Sequence, residues 1–90
     1  MRFAVICHDK PGALQVRLDN RAAHLAHIEA SGAVEMAGPF VDPQGQMTGS
    51  LIVLDVGSLQ AAQDWAAADP YSAAGLFDRV SVSEWKKVIG

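Results

Sequence analysis

The hydrophobic residues of this chain fall into six segments whose spacing predicts the order strand, helix, strand, strand, helix, strand. Four segments are short and either apolar or alternating, which is typical of β-strands. They cover Arg2–His8, Val34–Phe40, Thr48–Val56 and Phe77–Val88. Two longer segments have apolar residues at helical spacing. They run from Leu14 to about Ala30 and from Leu59 to about Ala68.

Turn and capping residues separate these segments. Asp42–Gln46 is rich in Asp, Pro and Gly, which favours a turn and makes the flanking strands a hairpin. Ser58 is suited to cap the second helix. Asp69-Pro70 interrupts that helix, because the residue before a proline avoids the helical region. A short new turn of helix is predicted over Tyr71–Ala74.

This order of elements predicts an α+β protein with a ferredoxin-like βαββαβ fold, built as one antiparallel sheet with both helices on one face. The chain, residues 1–90, makes a single domain. The strands Arg2–His8 and Thr48–Val56 are apolar on both faces, yet the helices cover only one. A bare apolar sheet face is unusual on a monomer, so the pattern predicts a homodimer.

Composition narrows the class of function. Ten acidic residues against seven basic ones give a net charge of −3, which argues against a nucleic-acid partner. No apolar run approaches the roughly 20 residues of a membrane helix, and the N-terminus lacks the pattern of a secretory signal. We therefore expect a cytoplasmic protein with no membrane association. The single cysteine, Cys7, fits a reducing compartment and is expected to be a buried thiol.

His24 is the most informative candidate for chemistry. Arg17 and Arg21 precede it by seven and three residues, so all three lie along one stripe of the first helix. Next to it runs an apolar stripe of Leu18, Leu25 and Ile28, expected to face the core. The arginines favour neutral imidazole, which suits a general base, and attract an anionic or phenolate ligand. The alternative is a packing histidine with two solvated arginines.

Four further candidates each have a structural alternative. Asp69 is suited to cap the short helix that follows it, or to orient His24. Ser50 offers a hydroxyl to a ligand, or is simply a strand-edge residue. Gly38 presents its backbone at a turn, or only ends a strand. Tyr71 lines a pocket near the Asp69 carboxylate, or packs in the core.

A metal site is not predicted. His24 and His27 are three residues apart on one helix, but no acidic residue completes a metal-binding motif. Cys7 and His8 point to opposite sides of a strand. We accordingly expect neither a metal nor another cofactor.

An ordered set of short segments along nearly the whole chain matches a known family. The segments are Arg17-Leu18, Arg21, His24-Leu25, Ala37-Gly38-Pro39, Thr48-Gly49-Ser50, Leu59–Ala66, Ala68-Asp69-Pro70-Tyr71, Ala74-Gly75 and Lys86-Lys87-Val88. Together they resemble the YciI-like (YCII-related) proteins. The resemblance implies a fold of the dimeric α/β-barrel type and a site in which His24 meets Asp69. One relative is similar to a dehydrochlorinase acting on a chlorinated hydroxyhydroquinone, while most members have no established reaction.

Residues and resemblance together predict a small cofactor-free enzyme. His24 acts as general base or acid, and Asp69 orients it or handles a second proton. Arg17 and Arg21 stabilise negative charge on a small ring-containing or phenolic molecule in a lyase or isomerase step. Two alternatives remain open. One is a non-catalytic module that binds a small molecule in the same pocket, and the other is an accessory dimeric protein in which His24 and Asp69 serve packing and capping.

Overall fold

The computed structural model describes residues 1–90 and contains the predicted elements in the predicted order. The elements are β1 (Arg2–Asp9), α1 (Leu14–Ser31), β2 (Val34–Val41), β3 (Met47–Asp55), α2 (Leu59–Ala68), α3 (Pro70–Ala73) and β4 (Phe77–Glu84). The last strand is shorter than predicted and ends at Glu84, not at Val88. It ends there because its neighbour β1 begins at Arg2, whose carbonyl accepts the N–H of Trp85.

The four strands form one sheet in the order β2-β3-β1-β4, and every neighbouring pair is antiparallel. This is the ferredoxin-like arrangement, and the fold class predicted from the sequence is confirmed. β1 and β3 are the central strands, while β2 and β4 lie at the edges. None of the helices has the length and apolar character needed to cross a membrane.

A small core lies between the sheet and the helices. The apolar side chains of the central strands point into it from alternate positions, as the pleat requires. Its members are Phe3, Val5, Cys7, Ile52 and Leu54 from the sheet and Ala62, Trp65 and Ala66 from α2. The helical spacing of α2 predicts burial of Leu59, Ala62 and either Trp65 or Ala66, and this is wrong for Leu59, the first residue of the helix, which is 46% exposed. Ser58 caps the helix as predicted, since its hydroxyl accepts the N–H of Ala61.

The opposite side of the sheet carries no helix. We call it the open face, and its apolar residues are Ala4, Ile6, Met36, Phe40, Leu51 and Val53. Met36 is 48% exposed and Phe40 37%. The two-faced apolar character expected for the central strands is therefore present. Dimerisation through this face stays a prediction.

Candidate active site

A cavity of about 190 Å³ opens between α1 and the strands β2 and β3. Twelve residues line it, namely Arg17, Arg21, His24, Leu25, Ile28, Ala37, Gly38, Pro39, Met47, Ser50, Ile52 and Tyr71. Six of the seven residues that the sequence put forward as site candidates are among them. The seventh, Asp69, lies behind His24. Residues from a helix, two strands and the α2–α3 break thus meet in one place.

The face that α1 turns inward differs from the predicted one at two of the three apolar positions, since Ile28 packs against the core but Leu18 and Leu25 do not. Leu18 and Leu25 are 47% and 48% exposed, while Arg17 and His24 are the two buried residues of this helix. The expected apolar stripe facing the core was wrong for both leucines. The physical reason is that Arg17 and His24 each find a buried carboxylate, so their burial is compensated by charge-assisted hydrogen bonds.

His24 and Asp69 are in direct contact. Nδ1 of the imidazole lies 2.9 Å from each oxygen of the Asp69 carboxylate. An ionised carboxylate can only accept, so Nδ1 donates and carries the proton. Nε2 makes no hydrogen bond and is not sealed from solvent. Because His24 lines the cavity, Nε2 is the nitrogen available to a bound molecule.

Asp69 has a second partner that explains its position. Pro70 forces the preceding residue out of the helical region, and Asp69 accordingly has extended torsions of φ −61° and ψ 127°. Its Oδ1 accepts the backbone N–H of Tyr71 at 3.0 Å, which caps α3. Its side chain is 2% exposed. The two predicted roles, capping and contact with His24, are thus compatible in one carboxylate.

Tyr71 forms the floor beneath the imidazole. Its ring stacks on His24 with a centroid separation of 4.0 Å and an interplanar angle of 15°. Phe77 packs against it edge-on at 5.9 Å. Burial raises the pKa of the Tyr71 phenol, although the charges of Arg17 and Arg21 oppose that rise. The hydroxyl therefore stays protonated near neutral pH and can donate a hydrogen bond into the cavity.

Arg17 is held by Asp9, which is not among the site residues predicted from the sequence. Its Nε and Nη2 donate to the two oxygens of Asp9 at 2.8 and 2.9 Å, and the side chains are 3% and 6% exposed. Burial lowers the pKa of Arg17, but the hydrogen bond and charge of Asp9 outweigh it and leave the pKa above its ordinary value. The composition of Asp9-Lys10-Pro11-Gly12 predicts a turn at this point of the chain. The signal that reveals the position of Asp9 is the two-residue alternation of β1, in which this residue falls on the same face as Val5 and Cys7.

Arg17 also organises its neighbours in the cavity. Nη2 donates to Ser50 Oγ at 2.9 Å, and the guanidinium carbon lies 4.8 Å from the centre of the Tyr71 ring. Nη1 is bound by neither Asp9 nor Ser50 and is not sealed from solvent. The Ser50 hydroxyl accepts from Arg17 and so keeps its own proton for another acceptor.

Of the two arginines at the cavity, only Arg17 has a carboxylate partner. Asp9 compensates Arg17, whereas Arg21 is exposed and forms no ion pair. Arg21 is therefore the uncompensated cation at the cavity mouth. An anion in the cavity would find one free positive charge there, and hydrogen-bond donors deeper in.

Gly38 lines the cavity, although not from a turn as expected. It lies inside β2 opposite Leu51. The following Pro39 does not end the strand, because β2 is an edge strand and one row of its backbone groups needs no partner. A side chain at Gly38 would point toward the open face with its partner Leu51, so Gly38 lines the cavity with its backbone.

His27 does not join His24. Its Nε2 lies 3.1 Å from the backbone oxygen of Trp65, and its ring packs against that indole. The histidine pair considered for a metal is thereby directed to different partners. No group of three or more His, Cys, Asp or Glu side chains is arranged to hold a metal ion.

Comparison with known proteins places this geometry in a family. Residues 1–86 match the model of the YCII-related domain. The chain is 41% identical to Protein YciI of Escherichia coli over 97 residues, covering 98% of this chain and 99% of that protein. It is 37% identical to an uncharacterized protein of Haemophilus influenzae, with the same coverage.

Solved structures agree with the fold. The 5-chloro-2-hydroxyhydroquinone dehydrochlorinase of Burkholderia phenoliruptrix, in complex with 2,5-dihydroxybenzoquinone, superposes with a TM-score of 0.87 at 36% identity, covering 96% of this chain and 94% of that one. An antibiotic biosynthesis monooxygenase has a TM-score of 0.60 at 12% identity over 98% of both chains, a likeness in fold alone. The protein is thus a member of the YCII-related family.

Proposed function

We propose that this protein is a small enzyme in which His24 exchanges a proton with a small, negatively charged ring molecule. The observation that carries the proposal is the difference in hydrogen bonding between the two imidazole nitrogens. Nδ1 is held by Asp69 at 2.9 Å, and Nε2 is left without a partner at the cavity. A histidine whose orientation and tautomer are fixed by a carboxylate is suited to general acid–base catalysis.

The cavity favours a ligand with a single ring. A cavity of roughly 150 Å³ is enough to hold benzene, so about 190 Å³ accommodates one substituted ring. Leu25, Ile28 and Ile52 supply apolar surface, and Arg17 and Tyr71 supply donors. This combination fits a phenolate, an enolate or an acidic quinone. The similar dehydrochlorinase binds 2,5-dihydroxybenzoquinone, which supports this class.

The reaction that we propose is a lyase or isomerase step. Nε2 of His24 removes a proton from the ligand, and the electron pair released forms a new double bond. Either a leaving group then departs, or His24 returns the proton to a second carbon of the ligand. Negative charge that develops on a ring oxygen is stabilised by Nη1 of Arg17, the Tyr71 hydroxyl and the Arg21 charge. In a dehydrochlorination the leaving group is chloride, and the proton remains on His24.

We also propose that the protein is a homodimer that buries the open face. Only 16 of 90 residues are buried in the single chain, so a second copy would add substantially to a thin core. The cavity lies on the helical side of the sheet and stays accessible. A cytoplasmic location remains a prediction from composition.

The test of the proposed function is a thermal-shift screen with phenols, lactones, small acids and 2,5-dihydroxybenzoquinone on the wild type, repeated on His24→Ala. We expect the unfolding temperature to rise with acidic ring compounds and the rise to fall strongly in the variant. A hit that survives the mutation unchanged would move His24 out of the site. Hits are then assayed for turnover, and His24-dependent binding without turnover would favour a binding module.

A further inference from the structure

We propose that Asp9 is a positioning residue of the active site and acts through Arg17. The inference rests on the proposed function. The carboxylate binds two nitrogens of the guanidinium and is 6% exposed. It does not line the active-site cavity, so its influence on a ligand passes through Arg17.

Local strand geometry aims the Asp9 side chain at α1. Asp9 is the last residue of β1, on the side of the sheet where Val5 and Cys7 are buried. The pairing of β1 with β4 shifts register between His8 and Asp9, so that Asp9 lies opposite Phe77. Irregularities of this kind re-aim side chains at strand ends. Arg17 meets the carboxylate from α1.

The Asp9 pair restricts Arg17 to a single orientation. With Nε and Nη2 both bound, the guanidinium plane is fixed, since a two-point contact removes rotation about the last side-chain bonds. In that orientation Nη2 also reaches Ser50, the guanidinium faces Tyr71, and Nη1 is left for the ligand. Without Asp9 the buried cation would lack its counter-charge and would turn toward solvent.

A second cavity provides access to Asp9 from outside the active site. This cavity, of about 230 Å³, lies at the turn between β1 and α1 and is lined by Asp9, Lys10 and Asp42 among others. Asp9 lines this second cavity and Arg17 lines the active-site cavity, so the ion pair stands between the two. Shortening Asp9 would therefore leave a space beside Arg17 that a small carboxylate from solution can enter.

The experiment uses Asp9→Ala, with 2,5-dihydroxybenzoquinone as the probe and titration calorimetry as the readout. We expect the dissociation constant to rise about tenfold or more, because a charge-assisted hydrogen-bond pair is lost. Added formate or acetate should restore most of the affinity, while the same concentration of chloride should not. Asp78→Ala removes an exposed carboxylate on β4 that makes no hydrogen bond or ion pair, and it should bind like the wild type.

A second variant covers the case in which Asp9→Ala does not fold. Asp9→Asn keeps the size and one acceptor oxygen, so it should fold, bind more weakly than the wild type and gain nothing from formate because no space is opened. Wild-type affinity in either folded variant would overturn the proposal. So would weak binding of Asp9→Ala that carboxylates leave unchanged.

A readout without ligand separates this proposal from the proposed function. The Arg17 Nε proton, assigned by its disappearance in Arg17→Lys, should exchange slowly in the wild type, rapidly in Asp9→Ala, and slowly again with formate. If the wild type bound no acidic ring compound, the proposed function would fail while this readout still tested how Asp9 holds Arg17. An Nε proton that exchanges equally slowly without Asp9 would contradict the positioning role.

Discussion

One carboxylate, that of Asp69, holds the imidazole of His24 at 2.9 Å from each oxygen and accepts the N–H of Tyr71 at 3.0 Å. His24 lies in the long helix, and Tyr71 in the short helix after the break at Pro70. The contact therefore joins two elements that both contribute to the cavity wall. It also stacks the two rings against each other. Stability and the proposed chemistry depend on the same residue.

Asp69→Ala should destabilise the protein by more than the loss of a helix cap. A lost cap costs about 1 kcal/mol. The variant also leaves the His24 Nδ1–H without an acceptor, which costs roughly 1–3 kcal/mol more. The free energy of unfolding, measured in urea, should thus fall by about 2–4 kcal/mol.

Ser58→Ala is the matched control for this measurement. Ser58 caps α2 through one hydrogen bond at 3.1 Å and has no partner in the cavity. Its loss should be about 1 kcal/mol. Equal losses in the two variants would mean that the His24 contact contributes nothing to stability.

Arg21→Gln should weaken anion binding without affecting the fold. Arg21 is exposed, lines the cavity and has no ion-pair partner, so its charge is available to a ligand. The affinity for 2,5-dihydroxybenzoquinone should drop roughly three- to tenfold, and added salt should narrow the difference. Lys86→Gln removes an equal charge in the segment after β4 and should leave the affinity unchanged. A drop of the same size in both variants would indicate a general charge effect.

Cys7 should make stability decline at high pH. Burial, with a contribution from Asp69, raises the pKa of the Cys7 thiol from its ordinary 9.0 to about 12. Between these values the unfolded chain ionises the thiol while the native protein keeps it protonated, so the free energy of unfolding falls as pH rises. Below pH 9.0 this contribution is fully present.

Urea unfolding at about pH 8 and about pH 10.5 measures this decline. Cys7→Ala should lose less stability between the two conditions than the wild type, whatever its absolute stability. Tyr71 also has a raised pKa, but it is present in both proteins and cancels in the comparison. The same pH dependence in both proteins would contradict the account of Cys7.

Met36→Asp should convert the proposed dimer to a monomer. Met36 is 48% exposed in the single chain, so the substitution leaves the monomer fold intact but places a charge in the open face. Light scattering after gel filtration should give half the mass of the wild type. Leu59→Asp is the control, because Leu59 is 46% exposed on α2, away from the open face. A wild type that is monomeric at all concentrations would contradict the dimer.

The sequence predicted the order of the elements well, because alternation, helical spacing and turn residues are local signals. It also placed Arg17, Arg21 and His24 on one face of α1. It could not show how deeply that face is buried. Burial depends on carboxylates that reach α1 from elsewhere, 8 residues away for Asp9 and 45 for Asp69. The exposure of Leu18 and Leu25 follows from the same contacts.

The end of β4 shows a second limit of local pattern. Apolar residues continue past Glu84 at Trp85 and Val88, but a strand needs a neighbour, and β1 offers none beyond Arg2. At Asp9 the strand instead extends one residue beyond the predicted segment Arg2–His8. A turn-forming sequence follows it directly, and that signal obscured its position on the inner face of β1.

The central claim is that His24, fixed by Asp69, presents Nε2 to the ligand. The most direct measurement is nitrogen NMR of the His24 side chain during titration with 2,5-dihydroxybenzoquinone. We predict that the Nε2 resonance shifts as the ligand binds, that Nδ1 stays protonated, and that both signals change in Asp69→Asn even before ligand is added. Saturable binding that leaves both His24 nitrogens unmoved would contradict the claim.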